Sequence, residues 1–190
     1  MIDQVLIGQL SESTVLFIPT ANPDGVAAGK RLTDQGRDMN RDQLALVTPE
    51  SQTLAEVIHQ FDPDMIVDAH EKGGSTPAVE IGRSSNPNMD DKLLVFNREI
   101  VEDYIFPDLE AANITADWYP DGHGLPTNFR HRTNLSHKPG ILIETAIRMD
   151  PVDRVEAQMA TMESIMRIYR ERIDDIVKLT SEAAERKAII

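Results

Sequence analysis

The chain has 190 residues, 41% of them hydrophobic, which predicts one globular domain spanning residues 1–190. Its formal net charge of −13 disfavours nucleic acid and anionic membrane surfaces as main partners, because both are bound by basic faces. Cysteine is absent, which excludes disulfides and thiolate chemistry, and no signal-peptide pattern or membrane-spanning apolar run assigns a compartment.

The first part of the chain predicts two strands separated by a long loop and a helix. A short β-branched run at 14–18 predicts a buried strand, and the Pro-, Asp- and Gly-rich residues 19–42 predict one long loop. Thr48 followed by Pro49 predicts a helix start, since threonine is a good N-cap and proline suits the first helical position. The apolar run at 65–69 predicts the next strand, with His70 at its end.

The rest of the chain continues this alternation. It predicts strands at 78–81, 114–118 and 141–143, a helix at 93–105, a loop at 119–140 and a long helix over 150–190. An α/β fold follows, with a mostly parallel or mixed sheet flanked by helices. Ligands of such sheets bind beyond the carboxyl ends of the strands, where His70 and Glu144 are expected.

The C-terminal helix carries apolar residues at heptad spacing: Val155, Met159, Met162, Met166, Tyr169, Ile173 and Ile176. We expect this stripe to pack on the sheet, and a helical contact between copies of the chain is the alternative.

Two groups of residues suggest chemistry. The loop carries Arg31 and the run Gly36-Arg37-Asp38-Met39-Asn40-Arg41-Asp42. Arginine binds a carboxylate through two parallel hydrogen bonds, and Asp38 could hold one arginine in place. A solvated loop with surface ion pairs is the alternative.

The second group lies at the strand ends. His70 is a candidate metal ligand, base or core residue, and Asp68, two residues earlier, lies on the same strand face as a possible imidazole partner. Glu144 follows three core aliphatic residues, so it is either a surface residue or a base in a cleft.

In order and spacing, these motifs resemble the zinc metallocarboxypeptidases of the carboxypeptidase A-like superfamily. The matching positions are Asn22-Pro23-Asp24-Gly25, Arg31, the run ending in Asn40-Arg41, Pro49-Glu50, His70 and Glu144. The resemblance spans residues 15–146 and implies a carboxypeptidase-like α/β fold and the release of C-terminal residues from peptides.

The resemblance also implies a role for each matching residue. His70 corresponds to a ligand of the catalytic Zn²⁺, and Glu144 to the general base. Arg31 corresponds to the cation that stabilises the oxyanion, and Asn40 and Arg41 to the clamp for the substrate's terminal carboxylate.

The family often places a tyrosine in the loop before its glutamate. Tyr119 is the only tyrosine of the 119–140 loop and is therefore the candidate for that substrate-binding position, with His123 as a weaker substitute.

The sequence departs from the family at the zinc site. The family takes two further ligands from a His-x-x-Glu motif upstream of the Asn-Pro-Asp-Gly motif, and none of the five histidines here has a glutamate three residues later. We therefore expect the C-terminal part of a carboxypeptidase domain, with an incomplete fold and zinc site and little or no activity.

Three explanations of this departure stay open. The chain is a truncated zinc carboxypeptidase, a pseudoenzyme that binds peptide C-termini, or a protein whose ligands are completed by another chain, for example in a homo-oligomer. An N-acyl amino acid deacylase of the same fold is a further alternative. In each case the expected ligand is a peptide or acyl-amino acid with a free carboxylate.

Overall fold

The computed structural model describes residues 13–120 and 124–186. Its α-helices are α1 (Pro23–Ala28), α2 (Pro49–Phe61), α3 (Asp91–Ile100), α4 (Phe106–Ala111), α5 (Phe129–Asn134), α6 (Pro151–Glu171) and α7 (Ile173–Arg186). Its strands are β1 (Ile66–Lys72), β2 (Val79–Gly82), β3 (Ala116–Trp118) and β4 (Gly140–Ala146). A 3-10 turn at Met39–Arg41 and a π-helical turn at Val101–Ile105 complete the described elements.

The four strands form one mixed sheet in the order β1-β4-β2-β3. β1 pairs parallel to β4, β2 pairs antiparallel to β4, and β3 pairs parallel to β2. The prediction of an α/β fold with a mixed sheet flanked by helices is confirmed, and β4 lies inside the sheet as its most buried strand.

The two faces of β4 carry different side chains, because successive side chains of a strand point to opposite faces. Ile141 and Ile143 are fully buried and belong to the main hydrophobic cluster, together with Ile105 and with Ile165 and Ile168 of α6. Leu142 and Glu144 point to the opposite face, which α5 partly covers. The apolar face fixes the sheet, and the other face is left for polar side chains.

Two predictions about the first part of the chain are wrong. Residues 14–18 form no strand, and Phe17 there is 68% exposed, because no described segment pairs with this run. Residues 19–42 are not a continuous loop, since α1 and the 3-10 turn lie within them. Asn22 begins α1 by accepting a hydrogen bond from the Gly25 backbone N–H at 2.9 Å.

The predicted single C-terminal helix is in fact two helices, which meet at Arg172. Arg172 is held there by Glu99 at 2.8 Å and Asp175 at 2.7 Å. The predicted packing of the heptad stripe holds in part: Ile176 belongs to the main cluster and Met162 and Tyr169 pack against it, whereas Val155 and Met159 are exposed. The buried positions of α6 are Ala157, Thr161, Ser164, Ile165 and Ile168. These positions include small residues that let the helix lie close to its neighbours, which a search for large apolar residues overlooks.

Within the described ranges, no helix is both long and apolar enough to cross a membrane.

A buried carboxylate ties the arginine-bearing loop to α2. Asp42 accepts hydrogen bonds from the Thr48 N–H at 2.7 Å, the Thr48 hydroxyl at 2.9 Å and the Ser51 hydroxyl. Burial alone would raise the pKa of Asp42, but the Ser51 and Thr48 hydrogen bonds outweigh burial and lower that pKa from 3.8 to about 2. The folded protein therefore favours the charged carboxylate.

We predict that Asp42→Asn lowers the free energy of unfolding at pH 7 by about 1–3 kcal/mol, because the charged hydrogen-bond acceptor is lost. A lowered folded-state pKa stabilises the protein above the unfolded-state pKa, so the difference from wild type should shrink between about pH 4 and about pH 2. Urea unfolding followed by circular dichroism measures both effects. Asp34→Asn, at an exposed position of the same loop, is the control, and equal unfolding of the two variants at pH 7 would contradict the prediction.

Candidate active site

The register of β1 against β4 builds the centre of the site. His70 lies directly opposite Glu144, and Glu80 of β2 lies opposite Glu144 on its other side. His70 Nδ1 is 3.7 Å from Glu144 Oε1, and His70 Nε2 is 2.9 Å from Asp68 Oδ1. The sequence predicted His70 at the end of its strand and Glu144 just past an apolar run. In the structure, both residues lie within their strands, and each strand extends two residues further.

The loop before α2 supplies the cations. Asp38 begins the 3-10 turn by accepting the Asn40 N–H at 2.9 Å through Oδ1, and its Oδ2 accepts Arg31 Nε at 2.9 Å. Asp38 thus holds Arg31, as the sequence suggested. Arg41 Nη1 donates to the Asn40 carbonyl oxygen at 2.7 Å, and its side chain borders the same cleft.

Asn40 joins three parts of the site. Its Nδ2 lies 3.3 Å from His70 Nε2, and its Oδ1 accepts the backbone N–H of Phe129, the first residue of α5, at 2.7 Å. The residue that precedes α5, Asn128, makes no side-chain capping bond, so Asn40 caps this helix from a distant loop. The sequence could not reveal this contact, since the two residues are 89 positions apart.

These side chains surround one cleft of about 230 Å³. Its lining contains Arg31, Asp38, Asn40, Arg41, Asp68, His70, Tyr119, Asn128, Arg130, Leu142 and Glu144. The six residues to which the resemblance assigned roles are therefore brought together, as are Asp38 and Asp68, whereas His123 lies outside the described residues. Sequence reasoning missed Asn128 and Arg130, whose only signal was polar and basic character in the 119–140 segment.

Glu144 and His70, the two residues at the centre of the cleft, both have raised pKa values. Burial raises the pKa of Glu144, the charges of Asp68 and Glu80 raise it further, and His70 and Arg31 oppose the rise. Burial opposes a charged His70, but its hydrogen bond to Asp68 and the negative charges of Asp68 and Glu144 outweigh burial and raise its pKa above 6.5. A carboxylate with a raised pKa is suited to accept and return a proton near neutral pH.

The donor set does not complete a zinc site. Across residues 13–120 and 124–186, no group of three or more histidine, cysteine, aspartate or glutamate side chains is arranged to hold a metal ion. Among the described residues, His70 is the one histidine that lines the cleft, and a catalytic zinc normally takes three protein ligands.

Curated proteins that resemble this chain are carboxypeptidases by name. No protein-family model matches the chain. Over 121 residues it is 28% identical to a probable carboxypeptidase 2 of Trichophyton verrucosum, covering 58% of this chain and 23% of that protein. The homologous protein of Arthroderma benhamiae is 27% identical over the same length and the same shares. The chain thus spans less than a quarter of the length of these curated relatives.

Solved structures show the same fold. The chain superposes on a metallo-carboxypeptidase of Pseudomonas aeruginosa, solved in complex with (2-guanidinoethylmercapto)succinic acid, with a TM-score of 0.70 and 18% identity. That match covers 92% of this chain and 50% of that one. A putative carboxypeptidase A of Shewanella denitrificans gives a TM-score of 0.64 at 20% identity, over 83% of this chain and 46% of that one. The fold is that of the metallo-carboxypeptidases, of which this chain matches about half.

We predict that Asn40→Ala speeds hydrogen exchange of the Phe129 amide about 2- to 10-fold, because a hydrogen bond worth about 0.5–1.5 kcal/mol is removed. Exchange followed by nuclear magnetic resonance measures this residue directly. Asn128→Ala is the matched control, since it removes a neighbouring asparagine that makes no capping bond. The same exchange rate at Phe129 in both variants would show that Asn40 does not cap α5.

Proposed function

We propose that this chain provides the carboxylate-binding and proton-transfer part of a zinc-dependent metallocarboxypeptidase-type hydrolase, which releases C-terminal residues from peptides. The observation that carries the proposal is the convergence of Arg31, Asn40 and Arg41 on the cleft that contains His70 and Glu144. The names of the relatives and of the structural neighbours support it. The further zinc ligands come from a polypeptide segment beyond the described residues or from a second chain.

The substrate's terminal carboxylate is bound by the loop. A guanidinium presents a planar fork of donors that matches a carboxylate, and Asn40 and Arg41 both line the cleft. Asp38 binds Arg31 through Nε, so the terminal nitrogens of Arg31 can donate to the oxygen of the scissile carbonyl. Tyr119 contributes a ring to the cleft wall. The compound bound by the Pseudomonas neighbour is a succinic acid derivative, which agrees with a carboxylate ligand.

Glu144 is the proton-transfer group. It is 7% exposed, faces the cleft, and has its pKa raised mainly by burial. Such a carboxylate takes a proton from the attacking water and passes it to the leaving amine. The charge of Arg31 opposes the rise of the Glu144 pKa, so the cation lies within electrostatic reach of the proposed base.

A second candidate function is a non-catalytic module that binds peptide C-termini. The single histidine of the described cleft favours this candidate, because carboxylate binding by Asn40 and Arg41 does not require the metal. The two functions share their ligand and differ only in turnover.

We predict that a short peptide with a free C-terminus binds the chain, and that the same peptide with an amidated C-terminus binds at least about 10-fold more weakly. Arg41→Gln should weaken binding of the free peptide about 10- to 100-fold, the loss expected for a hydrogen bond to a charged group. Isothermal titration calorimetry measures both, with Arg37→Gln, an exposed arginine of the same loop, as the control. Equal binding of the free and amidated peptides would contradict both candidate functions.

We predict that the chain releases the C-terminal residue of a peptide in a zinc-dependent reaction when the further zinc ligands are supplied. Glu144→Gln should lower the rate of this release by at least about 100-fold, in line with the contribution of a general base. Mass spectrometry of the products, with and without a chelator, measures turnover. An N-acyl amino acid, assayed beside the peptide, tests the deacylase alternative. Peptide binding without any turnover in saturating zinc would leave the non-catalytic module as the function.

A further inference from the structure

A second groove adjoins the cleft at Tyr119. It has a volume of about 300 Å³ and is lined by Arg83, Arg98, Glu102, Trp118, Tyr119 and Pro120. Of these six residues, Tyr119 alone also lines the cleft, so the two cavities share one wall. β3 is the last strand in the order of the described sheet, and the groove lies at the carboxyl end of this strand.

The sheet and the core hold the aromatic wall of this groove. Trp118 is the register partner of the fully buried Ile81 on β2. Its ring meets the ring of Phe106 edge-on at 5.1 Å between centres, and both rings pack against the main hydrophobic cluster. The N–H of the next residue, Tyr119, donates to the Ile81 carbonyl oxygen at 2.9 Å. The wall is therefore positioned by the fold itself.

The two arginines of the groove have different partners. Arg98 Nε lies 2.8 Å from Glu102 Oε1, so the carboxylate of the groove is already paired. The Cζ atom of Arg83 lies 5.7 Å from the centre of the Trp118 ring, within the range of a cation–π contact. Among the carboxylates that the structure describes, none is ion-paired with Arg83. A contact with a ring leaves the N–H donors in the guanidinium plane available for an anion.

The lining defines the ligand that fits. Two arginines and one glutamate leave one positive charge in excess, in a chain whose net charge is −13. A general attraction for acidic ligands is therefore absent, and binding of a carboxylate must come from this local arrangement. Trp118, Tyr119 and Pro120 add an apolar surface of the kind that contacts peptide chains.

We propose that this groove binds an acidic side chain of a polypeptide, with its carboxylate at Arg83 and its chain against Trp118, Tyr119 and Pro120. A guanidinium holds a carboxylate through two parallel hydrogen bonds, and the Trp118 ring keeps the Arg83 guanidinium in place for this contact. The inference goes beyond the proposed function, since it requires neither a metal nor the cleft.

The experiment uses the fluorescence of Trp118, which is the only tryptophan of the chain and therefore reports on this groove. The unmodified chain is titrated with tetraglutamate and with tetraglutamine, both N-acetylated and C-terminally amidated, so that neither probe has a free C-terminus. We expect the glutamate probe to change the Trp118 emission and to bind at least about 10-fold more tightly, because a charged hydrogen bond is about twice as strong as a neutral one.

Two results would overturn the inference and leave the proposed function untouched, because that function is tested with a free C-terminus. The first is equal affinity for the two probes, including no binding of either. The second is binding detected by calorimetry without a change in the Trp118 emission, which would place the glutamate probe elsewhere on the chain.

Variants assign the preference to Arg83. Arg83→Gln should reduce the affinity for the glutamate probe to that for the glutamine probe, whereas Arg41→Gln, which removes the same charge from the cleft, should retain the preference. Glu102→Gln should strengthen binding about 2- to 5-fold, because it removes a competing carboxylate that forms an exposed ion pair. Partial unfolding cannot produce this gain. A variant Arg83→Gln that is folded by circular dichroism and still prefers glutamate would contradict the assignment.

Discussion

The parallel pairing of β1 with β4 is the constraint on which the site depends. It sets His70 opposite Glu144 and Asp68 opposite Leu142, all on the face turned away from the main hydrophobic cluster. A shift of one residue would turn every polar side chain of β1 to the opposite face, because side chains alternate along a strand. Ile141 and Ile143 are buried on the other face of β4, and their burial keeps Glu144 on the cleft face.

The second constraint is the attachment of the arginine-bearing loop. Its arginines are exposed and lie outside regular structure, apart from one 3-10 turn, so their positions depend on polar contacts. Asp38 orients Arg31, Asp42 fixes the loop to α2, and Asn40 connects it to β1 and α5. These three side chains connect the loop to the rest of the site.

Local signals in the sequence predicted much of the fold and of the site. The N-cap at Thr48 was sufficient to predict the start of α2, and the apolar runs were sufficient to predict β1 and β4. Each of these features is determined by neighbours in the chain. The prediction of a strand at 14–18 was wrong because a strand needs a pairing partner, which a local pattern does not reveal. Arg130 was missed because its position depends on Gly82 and Gly140, on two other segments of the chain.

The capping bond from Asn40 to α5 has a thermodynamic consequence. Asn40 contacts Phe129, and Arg130 is the next residue, so one hydrogen bond links a cleft-lining residue of the loop with a cleft-lining residue of α5. Energetic effects of substitutions at linked positions do not add. A double-mutant cycle between Asn40 and Arg130 would therefore show a nonzero interaction energy. The loop and α5 are therefore expected to respond to substitution as one structural unit.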